Sequence, residues 1–305
     1  MNFVDHAREL VRNLNHRMAP SPYDAAWLAR LKGSSDREPL WPDLIEWLLA
    51  HQHDDGSWGS PIEYYHDRII CTLAATIALG KNGQGNDTQN AIKRAERYLW
   101  HHLHLLPRDP FELVGFELIL PTLLNEARAM GLDVPTHTCG YGEIQTAKLR
   151  MIPPDMLYSP HISTVLSLEF LGQSGDPIKL KQALTDNGAL GNSPAATAYY
   201  LTLCQENDPK ALHYLQAVRD HMEHVVSFYP FRTFELTWVL NNLLMSGHPL
   251  REFADPEVWS ELSKEISPRG VGFDPSFRIP DGDTTSACCR VLLEAGHNVN
   301  PEILA

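Results

Sequence analysis

The sequence predicts an all-α fold, arranged as an α/α helical barrel or a solenoid rather than a compact bundle. Apolar residues recur at helical spacing along most of the 305 residues, segments rich in Gly, Pro, Asn and Asp separate these stretches, and no convincing set of alternating strands occurs. Many helices of similar length suit a barrel or solenoid better than a bundle. Between the first two helices and the last one, helices are predicted at residues 42–50, 66–80, 90–106, 111–131, 159–172, 177–185, 193–206, 210–223, 230–247 and 255–266.

The first two helices are predicted from apolar spacing and from a helix-start signal. Residues 3–17 carry a helical stripe of apolar side chains that is interrupted by charges. A second helix is predicted to begin at Pro22, because proline after Ser21 suits the first helical position. Tyr23 and Trp27 then lie on one face of it, and we expect both to be core residues.

The helix at 42–50 leads into a loop, Gln52 to Gly59, that reads Gln-His-Asp-Asp-Gly-Ser-Trp-Gly. Glycines on both sides of Ser57-Trp58 indicate a tight turn, and the tryptophan can wedge against the preceding helix. Gln52 could satisfy exposed backbone groups at a helix end. This loop is therefore predicted to be a structural staple rather than a site of chemistry.

Two signals concern the later helices. Pro121 should bend or split the helix at 111–131, because proline donates no backbone hydrogen bond. Near the C-terminal end, Pro280, Gly282 and several Asp, Thr and Ser side chains precede an apolar run, which indicates a loop that enters a last helix.

The composition is that of a soluble globular protein, with 43% hydrophobic and 21% charged residues. The formal net charge of −13 is opposite to the basic surface that nucleic acid requires, so no nucleic-acid partner is predicted. An anionic ligand would need a local basic cluster or a divalent cation against this overall charge.

Cysteine usage and the N-terminus indicate the compartment. The five cysteines are scattered without C-x-x-C spacing, which indicates neither a disulfide framework nor a zinc site and favours the reducing cytoplasm. The N-terminus lacks the basic and apolar regions of an export signal, and no run of about eighteen apolar residues occurs. No integral membrane segment is therefore predicted.

A pair of aspartates stands at the start of the last predicted helix. Asp281 and Asp283 are two positions apart, close enough to interact. Two carboxylates held near each other do not both ionise easily, so one tends to keep a proton and becomes a candidate acid. In the alternative interpretation, one aspartate caps the helix and the other is a solvated neighbour.

Two further groups of charged residues could bind an anion or a cation. Glu63, Asp67 and Arg68 lie at a predicted helix start, where Asp67 could hold a cation and Arg68 a phosphate, or where they form an ordinary capped helix end. Lys148 and Arg150 lie on the same side of a segment predicted to be extended, so they could clamp a diphosphate. The alternative is ordinary surface charge.

Several other motifs are missing. His101, His102 and His104 do not have the spacing of two metal ligands on one helical face. The sequence contains no Asp-Asp-x-x-Asp, no Gly-rich phosphate loop, no G-x-S-x-G and no H-E-x-x-H. The motifs that remain are compatible with acid catalysis by the aspartates or with a protein that has no catalytic activity.

Three motifs occur in a characteristic order along the chain: Ser-Pro-Tyr-Asp-Ala-Ala-Trp at 21–27, Gln-His-Asp-Asp-Gly-Ser-Trp-Gly at 52–59 and Asp-Gly-Asp-Thr-Thr at 281–285. Together they resemble the class II diterpene cyclases, the group of copalyl, halimadienyl and kolavenyl diphosphate synthases that is related to the squalene-hopene cyclases. Supporting similarities are Asp67-Arg68 ahead of an apolar helix, Val-Gly-Phe-Glu at 114–117, the segment 148–153 and Ser-Pro-Ala-Ala-Thr-Ala-Tyr at 193–199. The resemblance covers nearly the whole chain.

The resemblance implies a reaction and roles for the acidic motif. Asp283 matches the general acid of the family and Asp281 its supporting carboxylate, while Thr284 stands where the family motif has a third aspartate, as in the bacterial halimadienyl-type enzymes. The implied reaction begins when Asp283 protonates the terminal alkene of geranylgeranyl diphosphate. The cation closes two rings, and a deprotonation leaves a bicyclic diterpenyl diphosphate. Because an alkene is a very weak base, such an acid must lie in a dry pocket.

The resemblance also implies how the diphosphate is held. Lys148 matches the diphosphate-contacting lysine of the family, and Arg150 and Arg68 are further candidate contacts. Mg²⁺ is the implied cofactor, with Asp67 and Glu63 as its candidate ligands.

The implied domain organisation has two helical barrels, called γ and β in this family. Residues 31–267 would form the γ barrel, residues 1–30 would belong to the β domain, and residues 268–305 would be its beginning. Family members continue well past the aspartate motif, so we expect either a fragment or a chain whose β domain is completed by a complementary segment or a second copy.

Two other functions stay open on the sequence. One is a non-catalytic helical scaffold or prenyl-chain binding module, which substrate turnover would exclude. The other is a sesquiterpene cyclase that acts on farnesyl diphosphate, which a comparison of the two substrates would identify. Triterpene cyclisation is disfavoured, because the Gln-Gly-Trp staple occurs once here and several times in those enzymes.

Overall fold

The computed structural model describes residues 2–14, 18–33, 38–204, 208–222, 224–277 and 279–304. Within these ranges the chain is all-α, with isolated bridges but no β-strand, which confirms the predicted fold class. The α-helices are α1 (Phe3–Arg12), α2 (Pro22–Leu28), α3 (Pro42–Ala50), α4 (Tyr65–Asn82), α5 (Gly85–His102), α6 (Phe116–Ala129), α7 (Tyr141–Met151), α8 (Pro177–Gln182), α9 (Pro194–Cys204), α10 (Pro209–Met222), α11 (Arg232–Leu244), α12 (Pro256–Glu265) and α13 (Gly282–Glu294). The 3₁₀ segments are Leu103–Arg108, Ser163–Ser174, Leu250–Glu252 and Pro301–Leu304. In the described ranges, no helix has both the length and the apolar character needed to span a bilayer.

Most predicted helices are confirmed with their ends shifted by a few residues; the predicted ends at 17, 206 and 223 lie outside the described residues. The α-helix predicted at 159–172 is instead the 3₁₀ segment Ser163–Ser174, because Ser167 and Gly172 take non-helical dihedral angles. Helix α7 is missing from the prediction.

Pro121 does not split its helix. Helix α6 begins at Phe116, after Gly115 in the left-handed conformation with φ 77°, and continues to Ala129. Pro121 is the sixth residue of this helix, which continues past it although the Glu117 carbonyl receives no backbone donor from that position.

One compact unit comprises Ala19–Ser227. Helix α4 is its central element, since nearly all of its side chains are buried, and it packs against α2, α5 and α6. A helix that is apolar on all sides has to be enclosed by others. The outer helices of the unit also pack on each other, α2 against α9 and α6 against α7.

The predicted staple is a buried loop in this unit. The Trp58 side chain is fully buried, its Nε1–H donates to the Leu48 carbonyl at 2.7 Å, and its backbone N–H donates to Thr72 Oγ1 at 3.0 Å. Gln52 Nε2 donates to the Gly56 carbonyl and to a carbonyl of α5, both at 2.9 Å. The loop thus ties α3, α4 and α5 together and satisfies exposed backbone groups, as predicted.

The other compact unit comprises Met1–Met18 and Phe228–Ala305. Helix α11 packs against α1, α12 and α13. Apolar side chains from these helices and the loops between them form one core cluster, which includes Val11, Leu240, Phe253, Leu262 and Val291. This cluster explains why the two ends of the chain belong to one unit.

The division by contacts differs in part from the predicted domain boundaries. Both group the N-terminal helix with the C-terminal segment, but residues 19–30 and 228–267 change unit. The physical reason is packing: α2 lies against α4 and α9, whereas α11 lies against α13. The boundaries at 30/31 and 267/268 stay a prediction about domain organisation.

Two carboxyl groups are buried, Asp24 on α2 itself and Glu169 on the 3₁₀ segment Ser163–Ser174. The Tyr23 hydroxyl donates to Glu169 Oε1 at 2.9 Å, and Asp24 accepts the backbone N–H of Ala195 at 3.1 Å. Burial raises the pKa of Glu169 to about 8 and the pKa of Asp24 to about 7. Both groups are therefore protonated in the folded protein at a pH where the unfolded chain has ionised them.

This burial predicts a stability that falls with rising pH. Because the folded-state pKa of Glu169 is raised, the folded protein binds more protons than the unfolded chain, and stability is lost as the pH rises through about 8. Between about pH 6 and about pH 9, we expect the Tm of the unaltered chain to fall on the order of 5 °C more than that of Glu169→Gln. Thermal unfolding followed by circular dichroism measures both; Glu257→Gln, at an exposed position, is the matched control. An unchanged pH dependence in Glu169→Gln would contradict the assignment.

Candidate active site

The two predicted acids meet at the N-terminus of α13. Asp281 is the N-cap, and its Oδ2 accepts the backbone N–H of Thr284 at 3.0 Å. Asp283 lies in the first turn, and its Oδ1 accepts the same N–H at 2.8 Å. The two carboxyl groups are also hydrogen-bonded to each other. The capping interpretation is thus correct for Asp281, and it does not exclude the paired-acid interpretation.

The pKa values of the two aspartates are shifted in opposite directions. A hydrogen bond from the protonated form of Asp283 to the Asp281 carboxylate raises the pKa of Asp283. Partial burial acts to raise the pKa of Asp281, but the hydrogen bonds from Asp283 and Thr284 outweigh it and the net pKa is lowered. The positive end of the helix dipole favours the same ionised Asp281. Within the pair, Asp283 is the carboxyl group with the higher affinity for a proton.

A short loop anchors the aspartates. The Asp281 N–H donates to the Val271 carbonyl at 3.0 Å, and the Val271 N–H donates to Thr285 Oγ1 at 2.9 Å. At Gly270, φ is 116° and a Cβ atom would lie 2.8 Å from Thr285 Oγ1. Glycine is required at this position for both reasons, so the loop fixes the pair at the helix start.

The surroundings of the pair differ from the expected dry pocket. The Asp283 side chain is exposed among the described residues. Thr284 is fully buried, and its Oγ1 has no hydrogen-bond partner in the described part of the chain. The Thr284 hydroxyl therefore does not contact the acid, and its role as a predicted catalytic residue is limited to its backbone N–H, which both carboxylates accept.

The predicted diphosphate clamp has a different geometry. Lys148 and Arg150 lie on α7, so the extended segment is a wrong prediction. Residues two apart on a helix point to nearly opposite sides, so the two cations do not form one clamp. The Lys148 ammonium forms an ion pair with Glu117, a buried residue in the first turn of α6, while its own side chain is half exposed. Arg150 is exposed.

Two residues beside Lys148 were not singled out from the sequence. Glu117 is its ion-pair partner, and Gln145 donates from Nε2 to the Leu118 carbonyl and to Thr122 Oγ1 of α6. Gln145 and Lys148 are three positions apart, which is the helical spacing that could have indicated α7.

Arg68 is occupied within the staple loop. Its Nε donates to the Ser60 carbonyl at 2.9 Å, its guanidinium donates to Ser57 Oγ at 2.6 Å, and Asp55 is 3.6 Å away. The side chain is buried. This geometry gives Arg68 a structural role, because its donors already hold the loop, and its assignment as a phosphate contact stays a prediction.

The predicted Mg²⁺ ligands do not fit a metal ion. Asp67 Oδ2 accepts the Ser60 N–H at 2.6 Å and its Oδ1 accepts the Cys71 thiol at 3.4 Å, while Glu63 is exposed. Among the residues that the structure describes, no three His, Cys, Asp or Glu side chains lie together as metal ligands. Asp67 is part of the loop structure, and no step of the chemistry is assigned to a metal at these residues.

Comparison with known proteins identifies relatives of the whole chain. No model of a protein family matches it. The (13E)-labda-7,13-dien-15-ol synthase of Selaginella moellendorffii is 30% identical over 312 residues, which cover 98% of this chain and 41% of that protein. This chain thus spans about two fifths of the length of that relative.

Solved structures give the same result. The ent-copalyl diphosphate synthase from Arabidopsis thaliana, in complex with (S)-15-aza-14,15-dihydrogeranylgeranyl thiolodiphosphate, has a TM-score of 0.84 and 26% identity, covering 98% of this chain and 44% of that one. The abietadiene synthase from Abies grandis has a TM-score of 0.85 and 29% identity, covering 99% of this chain and 40% of that one. These matches confirm the predicted α/α barrel type of fold. By sequence and by fold, the chain is therefore a homologue of the diterpene synthases over the part of their length that it spans.

Proposed function

We propose that the chain belongs to a terpene cyclase of the protonation-initiated, class II kind that acts on geranylgeranyl diphosphate. The observation that carries the proposal is the carboxyl pair at the start of α13, in which both aspartates accept the Thr284 N–H, the pKa of Asp283 is raised and the pKa of Asp281 is lowered. The names of the relatives support a prenyl diphosphate substrate, since one of them is a copalyl diphosphate synthase in complex with a geranylgeranyl analogue.

The proposed chemistry moves one proton in and one proton out. Asp283 gives its proton to the terminal alkene, and the resulting carbocation is attacked in turn by two internal double bonds, which closes two rings. A base then removes one proton from carbon, so the bicyclic diphosphate is an isomer of the substrate. Asp281 assists because it accepts a hydrogen bond from the protonated form of Asp283 and so raises the pKa of that acid.

Protonation of an alkene requires that water be kept away from the acid. Asp283 is exposed. We therefore propose that water is excluded from it by additional residues of the kind that the longer relatives carry, supplied by a complementary β-domain segment or by a second copy of the chain. If water is not excluded from Asp283, the chain would bind a prenyl chain without converting it, which is the second candidate function and is favoured by this exposure.

Product analysis tests the proposal. The chain is incubated with geranylgeranyl diphosphate, alone and with the complementary C-terminal segment of a relative, and the products are dephosphorylated and analysed by mass spectrometry. A bicyclic alcohol isomeric with geranylgeraniol is expected. Binding without conversion in both mixtures would contradict the cyclase and support the binder, and turnover of farnesyl diphosphate alone would indicate a sesquiterpene cyclase.

Lys148 is proposed to contact the diphosphate, so its removal should weaken substrate binding. We expect Lys148→Ala to raise KM for geranylgeranyl diphosphate about tenfold or more, because a charge-assisted hydrogen bond to phosphate is lost. Steady-state kinetics measure the change, and kcat should change much less. Lys93→Ala, on the exposed side of α5, is the matched control. An unaltered KM in Lys148→Ala would remove this residue from the proposed site.

A further inference from the structure

Helix α7 has little apolar anchorage. Of its residues Tyr141–Met151, only Tyr141 is buried, and Ile144 and Met151 are exposed. The helix packs on α6. Elements with few buried apolar contacts are held weakly, so polar contacts have a large share in fixing their position.

The polar contacts of α7 lie on one face. Tyr141, Gln145 and Lys148 follow the spacing i, i+4 and i+7, which brings three side chains to the same side of a helix. Each of the three contacts α6 or the segment that precedes it. We call these three side chains the polar ladder of α7.

The N-terminal end of the polar ladder is tied to α4. The Tyr141 hydroxyl donates to Glu112 Oε1 at 2.9 Å and lies 3.2 Å from Nε2 of His66, which is buried. Asp109 Oδ2 in turn accepts from His66, with its ring Nδ1 2.7 Å away and its backbone N–H donor 2.8 Å away. Tyr141 therefore fixes the first turn of α7 to a rigid, buried histidine.

The middle of the polar ladder fixes the register on α6. Gln145 donates from Nε2 to the Leu118 carbonyl at 2.7 Å and to Thr122 Oγ1 at 2.9 Å. The first acceptor belongs to the residue that directly follows Glu117, the partner of Lys148, and the second lies about one turn further along α6. A slide of α7 by one residue, about 1.5 Å, would break both bonds at once.

We propose that Tyr141 and Gln145 are positioning residues that set where α7 presents the Lys148 ammonium to a diphosphate. The inference rests on the proposed function, because it takes Lys148 as a diphosphate contact. Without the two anchors, α7 tilts or slides on α6, and the ammonium leaves the place that Glu117 and the ladder define. Misplacement by about 1 Å is enough to lose most of such a contact.

Binding of inorganic diphosphate to the chain tests the inference directly. We expect Tyr141→Phe and Gln145→Leu each to raise the Kd for inorganic diphosphate by about three- to tenfold in calorimetric titration, with a larger loss in the double variant. With geranylgeranyl diphosphate as substrate, KM should rise in parallel while kcat stays within about twofold, since neither residue contacts the acid. A general loss of structure would lower kcat as well as raise KM, so it would not give this result.

Tyr199→Phe is the matched control, because its hydroxyl donates to the Gly172 carbonyl at 2.6 Å in the same unit without contacting α7. Circular dichroism and Tm verify folding, and Gln145→Leu carries the test if Tyr141→Phe does not fold. Suppose that the folded variants Tyr141→Phe and Gln145→Leu bind diphosphate as tightly as the unaltered chain, while Lys148→Ala binds it weakly. This result would overturn the positioning role of the ladder and leave the proposed function standing. Wild-type affinity in Lys148→Ala would overturn the proposed diphosphate contact itself, and the inference with it.

Discussion

Replacing Asp283 by asparagine is expected to abolish conversion of geranylgeranyl diphosphate while leaving the fold intact. Asparagine keeps the shape and can still accept a hydrogen bond, but it has no acidic proton to give to an alkene. Removal of a positioned acid typically costs a factor of about 10² to 10⁴ in rate. A larger loss is expected here, because water is a much weaker acid than a carboxyl group and cannot protonate an alkene in its place. The measurement is product formed per unit time by gas chromatography with mass detection.

Asp87→Asn, in the first turn of α5 and exposed, makes the same change outside the site and should retain full activity. The free energy of unfolding should also distinguish the two aspartates. Because only Asp281 caps α13, its replacement should lower this free energy, whereas Asp283→Asn should leave it nearly unchanged. Product formation by Asp283→Asn at the rate of the unaltered chain would show that the proton comes from another group.

The largest stability effect is expected for Trp58→Ala. The indole is fully buried in the staple loop, and truncation of a buried Trp costs about 3–5 kcal/mol through lost burial and the cavity left behind. The Leu48 carbonyl also loses the indole donor at 2.7 Å but keeps the His51 N–H at 3.2 Å, so the lost hydrogen bond adds about 1 kcal/mol. Urea unfolding followed by circular dichroism measures the change in the free energy of unfolding.

Trp100→Ala is the control for this variant. Trp100 is 45% exposed and donates from Nε1 to Asp133 at 3.0 Å, so its removal should cost well under half as much. If both variants lost the same stability, the loop around Trp58 would not be the structural element that its burial indicates.

The sequence was sufficient for the acid pair because its signals are local. Proline, glycine and capping side chains ahead of an apolar run predict a helix start, and the helix then fixes Asp281 and Asp283 within a few residues of each other. The staple loop was predictable for the same reason, since Gly56, Ser57 and Trp58 define their own turn.

The environment of the candidate diphosphate contacts was predicted less well because it is not local. Lys148 and Arg150 alternate in sequence as a strand would, and nothing adjacent reveals that α6 lies beside them. Arg68 has the right chemistry for a phosphate, yet its partners in the loop 55–61 use its donors.

The buried acid Glu169 could not be predicted at all. Its partner Tyr23 is 146 positions away in the sequence, so only the folded structure brings the hydroxyl and the carboxyl group together. Desolvation then decides its protonation state, and no sequence pattern reports how dry a site becomes.

The contrast between α4 and α7 has an evolutionary consequence. A substitution on enclosed α4 changes packing in every direction, whereas α7 is fastened by three side chains and leaves most of its surface unconstrained. Mutational drift can therefore accumulate on α7 without loss of the folded state. Selection on the proposed contact with the anionic end of a ligand can act there, independently of the aspartates that are proposed to supply the proton.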